Sequence, residues 1–115
     1  MANPVVHFEI GGRDSEKTQA FFNSLFDWTT EVAGPAAMIS TGSEEGIQGH
    51  ITALGHEPFN FVTIYVQVDD VQAYLDKAAG LGGETIIPPQ EVPGMGTFAW
   101  LADVDKNTIG LWKPA

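Results

Sequence analysis

The chain has 115 residues, 43% of them hydrophobic and 17% charged, the composition of one folded domain with its own core rather than of a disordered segment. Fifteen acidic residues against five basic ones give a net charge of -10, which repels nucleic-acid phosphates and anionic membrane surfaces. There is no cysteine, so disulfides, thiolate metal sites and cysteine nucleophiles are excluded, and no apolar run reaches membrane-spanning length. The start Met1-Ala2-Asn3-Pro4 lacks the basic and long apolar regions of a secretory signal, and the expected location is the cytoplasm.

The first predicted element is a half-buried strand over Val5 to Ile10, with Val6, Phe8 and Ile10 on its apolar face and His7 and Glu9 on the other. Gly11-Gly12 breaks it. Asp14 or Ser15 can accept the orphan amide hydrogens of a following helix, in which Phe21, Phe22, Leu25 and Phe26 recur at helical spacing and are expected to pack on the apolar strand face. Trp28 closes that helix as a core residue. Short strands follow at Thr29 to Val32, Ala37 to Thr41 and Ile47 to Leu54, separated by the turns Gly34-Pro35 and Gly42 to Gly46.

Gly55-His56-Glu57-Pro58 has the composition of a loop, with His56 solvated, and the pattern then restarts. Phe61 to Val68 alternates Val62, Ile64, Val66 and Val68 against Thr63, Tyr65 and Gln67. Asp69 or Asp70 caps a second helix carrying Val71, Tyr74, Leu75 and Ala78, and Gly80 or Gly82-Gly83 supplies its stop. Thr85 to Ile87 begins a strand, but the segment Pro88 to Gly96 holds three prolines and belongs at a sheet edge or in a loop, with Met95 at its exposed tip. Thr97 to Ala102 and Thr108 to Trp112 form a hairpin around the turn Asp103 to Asn107.

The order strand, helix, three strands therefore occurs twice, 56 positions apart, with His7 answered by Thr63 and Thr29 by Thr85. The expected fold is α+β: tandem βαβββ modules, one about 4–54 and the other about 60–113 of a single domain 1–115, forming a curved mixed sheet around a cleft. The stretches Val6-His7-Phe8-Glu9-Ile10, Ala20 to Trp28 and Ala102 to Trp112 resemble the vicinal oxygen chelate superfamily, which includes glyoxalase I, the bleomycin resistance proteins and extradiol dioxygenases. The resemblance covers nearly the whole chain.

What it implies is a cleft that binds a small organic molecule, in many members with a divalent metal held by residues of the first and last strand of each module. Carried over residue by residue, the four slots fall on His7, on Gln48 or His50, on Thr63 and on Gly110. Matching Ile47-Gln48 to Ile109-Gly110 favours Gln48, while strand alternation puts Gln48, His50 and Thr52 on one face. Gly110 has no side chain to offer, and the set lacks a carboxylate, so no metal cofactor is expected; a divalent ion, if one binds, would use His7 with Gln48 or His50.

The expected cleft lining is His7, Gln48, His50, Thr63, Tyr65, Phe98, Trp100 and Trp112, the three last at alternate strand positions where an apolar wall can form. His7 and Glu9 are the candidate proton-transfer residues, each weighed against a plain structural role: His7 satisfied by a polar neighbour, Glu9 exposed at the strand end. The serines at 15, 24, 40 and 43 sit in no nucleophile pattern, and Gly94-Met95-Gly96 lacks the setting of a phosphate loop. The expected function is binding of a small molecule without a complete metal site. The alternatives are a metal-dependent lyase or isomerase resembling glyoxalase I, and a structural or interaction module with a closed cleft. Pairing into a homodimer is expected, with no nucleic-acid or membrane partner.

Overall fold

The computed structural model describes residues 2–53 and 60–115, and the loop expected at Gly55 to Pro58, with His56, lies outside them. Strand β1 (Val5–Gly11) leads into helix α1 (Ser15–Phe26), then β2 (Thr29–Ala33), β3 (Ala36–Ser40) and β4 (Gln48–Thr52). The second round is β5 (Phe61–Gln67), α2 (Val71–Gly80), β6 (Glu84–Val92), β7 (Gly96–Ala102) and β8 (Thr108–Pro114). The α+β class and the tandem βαβββ order both hold. By contacts the chain divides into two compact units, His7–Thr63 and a second formed by the residues up to Val6 with Ile64–Ala115.

In the first module the strands lie in the order β2-β3-β4-β1, β4 running parallel to β1 and antiparallel to β3. The parallel pairing needs a long crossover, and α1 with the β2-β3 hairpin supplies it. Asp14 opens α1 by accepting from the Lys17 amide, and Asp27, in the left-handed region at φ 60°, ends it. Ala37, Ile39 and Ile51 are buried, with Phe8, Ile10 and Trp28 packed on them, so the apolar face of β1 is the one read from its alternation.

The face that α1 presents differs from the expected one. Phe22 stacks on Trp28, which in turn meets Phe8, but Phe21, Leu25 and Phe26 are more than half exposed. The half-buried positions Thr18, Gln19, Phe22 and Asn23 share one helix face. There the Thr30 hydroxyl donates to Gln19 Oε1 at 2.7 Å and accepts from Asn23 Nδ2 at 3.1 Å, a polar clasp that turns the neighbouring apolar stripe outward.

The second module repeats the arrangement in the order β5-β8-β7-β6. Val71 and Leu75 of α2 pack with Val68, Ala99 and Leu111, flanked by Val66, Tyr74 and Leu101. Val66 and Val68 thus pack with the helix as their alternation predicts, whereas Val62 on the same alternation is 74% exposed. Asp70 caps α2 by accepting from the Ala73 amide at 3.0 Å, and Gly82 at φ 100° makes the exit. Asp70→Ala should lower stability by about 1 kcal/mol in chemical denaturation, the usual worth of an N-cap. The proline-rich segment is an edge strand: β6 reaches β7 on one side only, and its register jumps between Ile87 and Gln90, across Pro88-Pro89. Met95 sits exposed in the turn between β6 and β7. Among the described residues no helix is long and apolar enough to cross a membrane.

Candidate functional site

The side of the first module away from α1 carries polar side chains in a row. In the β1-β4 register His7 lies opposite Gln48, Glu9 opposite His50 and Gly11 opposite Thr52. His7 Nε2 is 2.6 Å from His50 Nδ1, with the two rings stacked at 4.8 Å between centroids. The other nitrogen of His50, Nε2, faces Glu9 Oε1 at 3.4 Å, and the Thr52 hydroxyl donates to Glu9 Oε2 at 2.8 Å. Glu9 is only 3% exposed, which overturns the expectation of a solvated strand end. A carboxylate withdrawn from water requires donors around it, and Thr52 is one that sequence reading left out of the site. The alternation that put Thr52 on the face of His50 was the signal for it.

Burial holds His7 down at about 4 from its usual 6.5, the nearby His50 imidazole pushing the same way while the Glu9 carboxylate opposes both. His7 is therefore a neutral imidazole at pH 7. Gln48 does not join the row. Its Oε1 accepts from the Thr41 amide at 2.7 Å and its Nε2 donates to the Thr41 hydroxyl at 3.0 Å, so it pins the chain leaving β3.

The pairing also corrects the correspondence between modules. Glu9 and Tyr65 are equivalent at the offset of 56, and they lie opposite His50 and Gly110 respectively. His50, not Gln48, is thus the counterpart of Gly110, and the match of Ile47-Gln48 to Ile109-Gly110 was displaced by two residues. Side-chain burial decides the register, and a match of two short apolar-polar pairs does not carry that information.

In the second module the corresponding row is aromatic. The Tyr65 ring lies over Gly110, so close that a Cβ there would stand 2.4 Å from Tyr65 Cδ1. Trp100, opposite Gly110 on β7, donates from its indole Nε1 to the Tyr65 hydroxyl at 2.8 Å. Both rings are 6% exposed. Phe98 lies opposite Trp112 one step along the same face, each half-buried. The expected sharing of one face by Phe98, Trp100 and Trp112 matches this register, but Tyr65 and Trp100 bind each other. Thr63 is buried, at 3% exposure.

Two successive βαβββ modules with these pairings are the architecture of the vicinal oxygen chelate proteins. A sequence model of the Glyoxalase/Bleomycin resistance protein/Dioxygenase superfamily matches residues 5–111, and the chain belongs to that superfamily. It is 28% identical to the anthracycline biosynthesis protein DnrV of Streptomyces peucetius over 92% of its own length and 45% of that protein's. A putative glyoxylase of Mycobacterium tuberculosis (strain CDC 1551 / Oshkosh) is 40% identical over 52 residues, 45% of this chain and 20% of that one. The chain thus spans less than half the length of these curated relatives. Among solved structures, methylmalonyl-CoA epimerase from Mycobacterium tuberculosis aligns with a TM-score of 0.64 at 14% identity, covering 96% of this chain and 87% of that one. The NAD-dependent benzaldehyde dehydrogenase from Legionella pneumophila aligns at 0.70 and 16% identity, covering 95% and 98%. At such identities these structures share the fold with this chain.

Many members of this fold hold a divalent metal, but among the described residues the donors at these positions face one another rather than a shared point. Two imidazole nitrogens bound to one ion at about 2.0–2.1 Å stand about 3 Å or more apart in tetrahedral or octahedral geometry, whereas His7 Nε2 and His50 Nδ1 are at a hydrogen-bonded 2.6 Å. The second nitrogen of His50 is turned to Glu9, Gln48 is engaged with Thr41, and the place of a donor at Gly110 is taken by the Tyr65 ring. Among the described residues, no group of three or more His, Cys, Asp or Glu side chains is arranged to hold a metal ion.

Proposed function

We propose that this chain is a glyoxalase-like protein that binds a small organic molecule and does so without a resident metal. The observation that carries this reading is the row His7-His50-Glu9-Thr52, in which the first module's donors are turned toward one another by hydrogen bonds and close electrostatic contacts instead of converging on an ion. The row offers polar contacts to a ligand. The second module, taken by itself, has the half-buried Phe98 and Trp112 as apolar surface, while Tyr65 and Trp100 serve mainly to hold each other. With a net charge of -10, neutral or cationic ligands are favoured over anionic ones. Pairing of two copies belongs to the same reading, and the outward apolar stripe Phe21, Leu25 and Phe26 supports it. A cytoplasmic setting is part of the same reading.

The metal-dependent lyase or isomerase is the competing reading, and the fold shared with methylmalonyl-CoA epimerase is what keeps it in view. Metal analysis of the purified protein, with thermal-shift titrations of Ni²⁺, Zn²⁺ and Mn²⁺ and a screen led by cationic and neutral compounds, separates the two. The expected result is no stoichiometric metal, no shift with the ions, and stabilisation by an organic compound that His7→Ala abolishes. Stoichiometric metal that His7→Ala removes would establish the competing reading. Neither metal nor any organic hit would leave a structural or interaction module.

A further inference from the structure

On the face of the second module turned away from α2, one row crosses four strands: Gln90 of β6 lies opposite Phe98 of β7, Phe98 opposite Trp112 of β8, and Trp112 opposite Gln67 of β5. The helix side is taken by Val66, Val68, Ala99 and Leu111, so strand alternation sends these four the other way. Trp112 is seated by its neighbours. Its carbonyl accepts from the Val68 amide at 2.9 Å, and the six-membered edge of its indole leans over buried Gly96, where a Cβ would stand 2.8 and 2.9 Å from Cζ2 and Cη2. The glycine thus lets the indole lie along the sheet with its other side turned outward. Elsewhere the aromatic rings bind one another: Phe22, Phe26 and Trp28 pack ring on ring, and Trp100 donates to Tyr65. Among the described residues Phe98 and Trp112 make no such ring contact, and the Trp112 indole N–H and the Gln67 side-chain amide have no hydrogen-bond partner and are not buried.

We propose that Phe98 and Trp112 form a platform on which the second module takes a flat conjugated ring, one that carries carbonyl or ring-nitrogen acceptors along an edge and presents them to the Trp112 indole N–H and the Gln67 amide. This rests on the reading that the chain binds a small organic molecule, and it names the class of that molecule. Side chains directly opposite on neighbouring strands stand about 4.5–5.5 Å apart at Cβ, so the two rings together make a surface suited to a fused ring system. An indole with one side turned outward attracts a flat π-system in offset or tilted contact. A saturated cage of similar apolar area touches such a surface at fewer atoms. The indole N–H donates only, and an acceptor is what completes it. At the far end of the row Gln90 directs its NH₂ at the Pro88 carbonyl at 3.4 Å, so the donors on offer gather at the Trp112 and Gln67 end. The polar edge of the ligand therefore lies toward β5 and its apolar part over Phe98.

Lumichrome, neutral and flat with an acceptor-bearing edge, is the probe, and 1-adamantanol, neutral and apolar but not flat, is its control; neither is drawn in by the net charge of -10. Each is titrated into the ¹⁵N-labelled full chain treated with chelator, and the indole N–H signals of Trp28, Trp100 and Trp112 are followed, each assigned by its Trp→Phe variant. Lumichrome should shift the Trp112 signal and leave that of Trp28 in place, and 1-adamantanol should shift neither at the same concentration. Trp112→Leu, which keeps an apolar residue without a ring, should weaken lumichrome binding by about tenfold, whereas Trp112→Phe stays within about threefold of wild type. An unmoved Trp112 signal, equal binding of 1-adamantanol, or full affinity in Trp112→Leu would overturn the proposal. Should Trp112→Leu fail to fold, the wild-type indole shifts and the comparison with 1-adamantanol decide the matter without a variant. A compound from the screen that stabilises the protein yet leaves the Trp112 signal in place overturns this assignment while the small-molecule reading stands. The absence of every organic hit, lumichrome included, overturns both.

Discussion

Gly110→Ala is expected to cost about 2–4 kcal/mol of folding stability, an unusually large effect for one methyl group on a strand. The added Cβ would lie 2.4 and 2.5 Å from Tyr65 Cδ1 and Cε1, far inside the 3.5–4.0 Å at which carbon atoms attract. The ring has little freedom to retreat, since it is buried and its hydroxyl receives the Trp100 indole N–H at 2.8 Å. Overpacking of this kind costs about 1–3 kcal/mol, and a lost buried hydrogen bond adds about 1 kcal/mol. Chemical denaturation of Gly110→Ala, Tyr65→Ala and the double variant tests the cause. Once Tyr65 is shortened, the extra methyl has room, so the double variant should be clearly more stable than the two single costs added together. Strict additivity would mean that the ring is not what excludes a side chain at position 110. It follows that restoring a carboxylate by Gly110→Glu alone should not create a metal ligand, because the Tyr65 ring occupies its path.

The second large effect is an acid-side loss of stability traceable to His7. Its folded value, about 4, lies below the 6.5 of an unfolded histidine because burial disfavours the imidazolium. Above pH 6.5 neither state binds the proton and His7 contributes no slope. As pH falls from 6.5 toward 4 the unfolded chain takes up a proton that the folded chain refuses, so stability declines through that window and levels off below it. The full shift corresponds to about 3 kcal/mol, and partial exposure of the ring to solvent reduces this to about 2 kcal/mol. The difference between wild type and His7→Gln, measured by denaturation from pH 8 to pH 4, isolates this contribution from that of the fifteen carboxylates. The variant should show the shallower decline. Parallel curves would mean that His7 protonates as easily folded as unfolded.

Local alternation and capping chemistry were legible in the chain, and pairings across it were not. Phe8 and Ile10 against His7 and Glu9, a cap at Asp14 or Ser15 and another at Asp69 or Asp70, and an edge or loop place for the Pro88-Pro89 segment all follow from rules acting within a few residues, and the structure selects Asp14, Asp70 and the edge. The choice between Gln48 and His50 depended on the parallel register of β1 with β4, set by contacts some forty positions apart. The burial of Glu9 depended on Thr52 at the same distance. On α1, hydrophobicity named Phe21 and Leu25 as the inward face, but the hydroxyl of Thr30 recruited Gln19 and Asn23, and a helix can turn only one face inward. The aromatic lid over Gly110 had a visible trace: a glycine inside a strand marks a close approach by something bulky, and at that position the bulk is Tyr65.

Strand β6 also bears on how this protein keeps to itself. The outer strand of a sheet exposes amide hydrogens and carbonyls that a strand from a neighbouring molecule can zip onto. Along β6 the adjacent Pro88 and Pro89 have no amide hydrogen, and they sit where the ladder to β7 already slips. Because successive N–H groups of a strand point to alternate sides, the pair removes a donor from the open edge whichever way the strand is phased, and with the slipped register that flank of the second module is poorly suited to growth by strand addition. Glu84 and Glu91 on the same strand add like-charge repulsion between copies of an acidic chain. Association of this protein with itself is therefore steered away from the proline-bearing rim and toward its other surfaces.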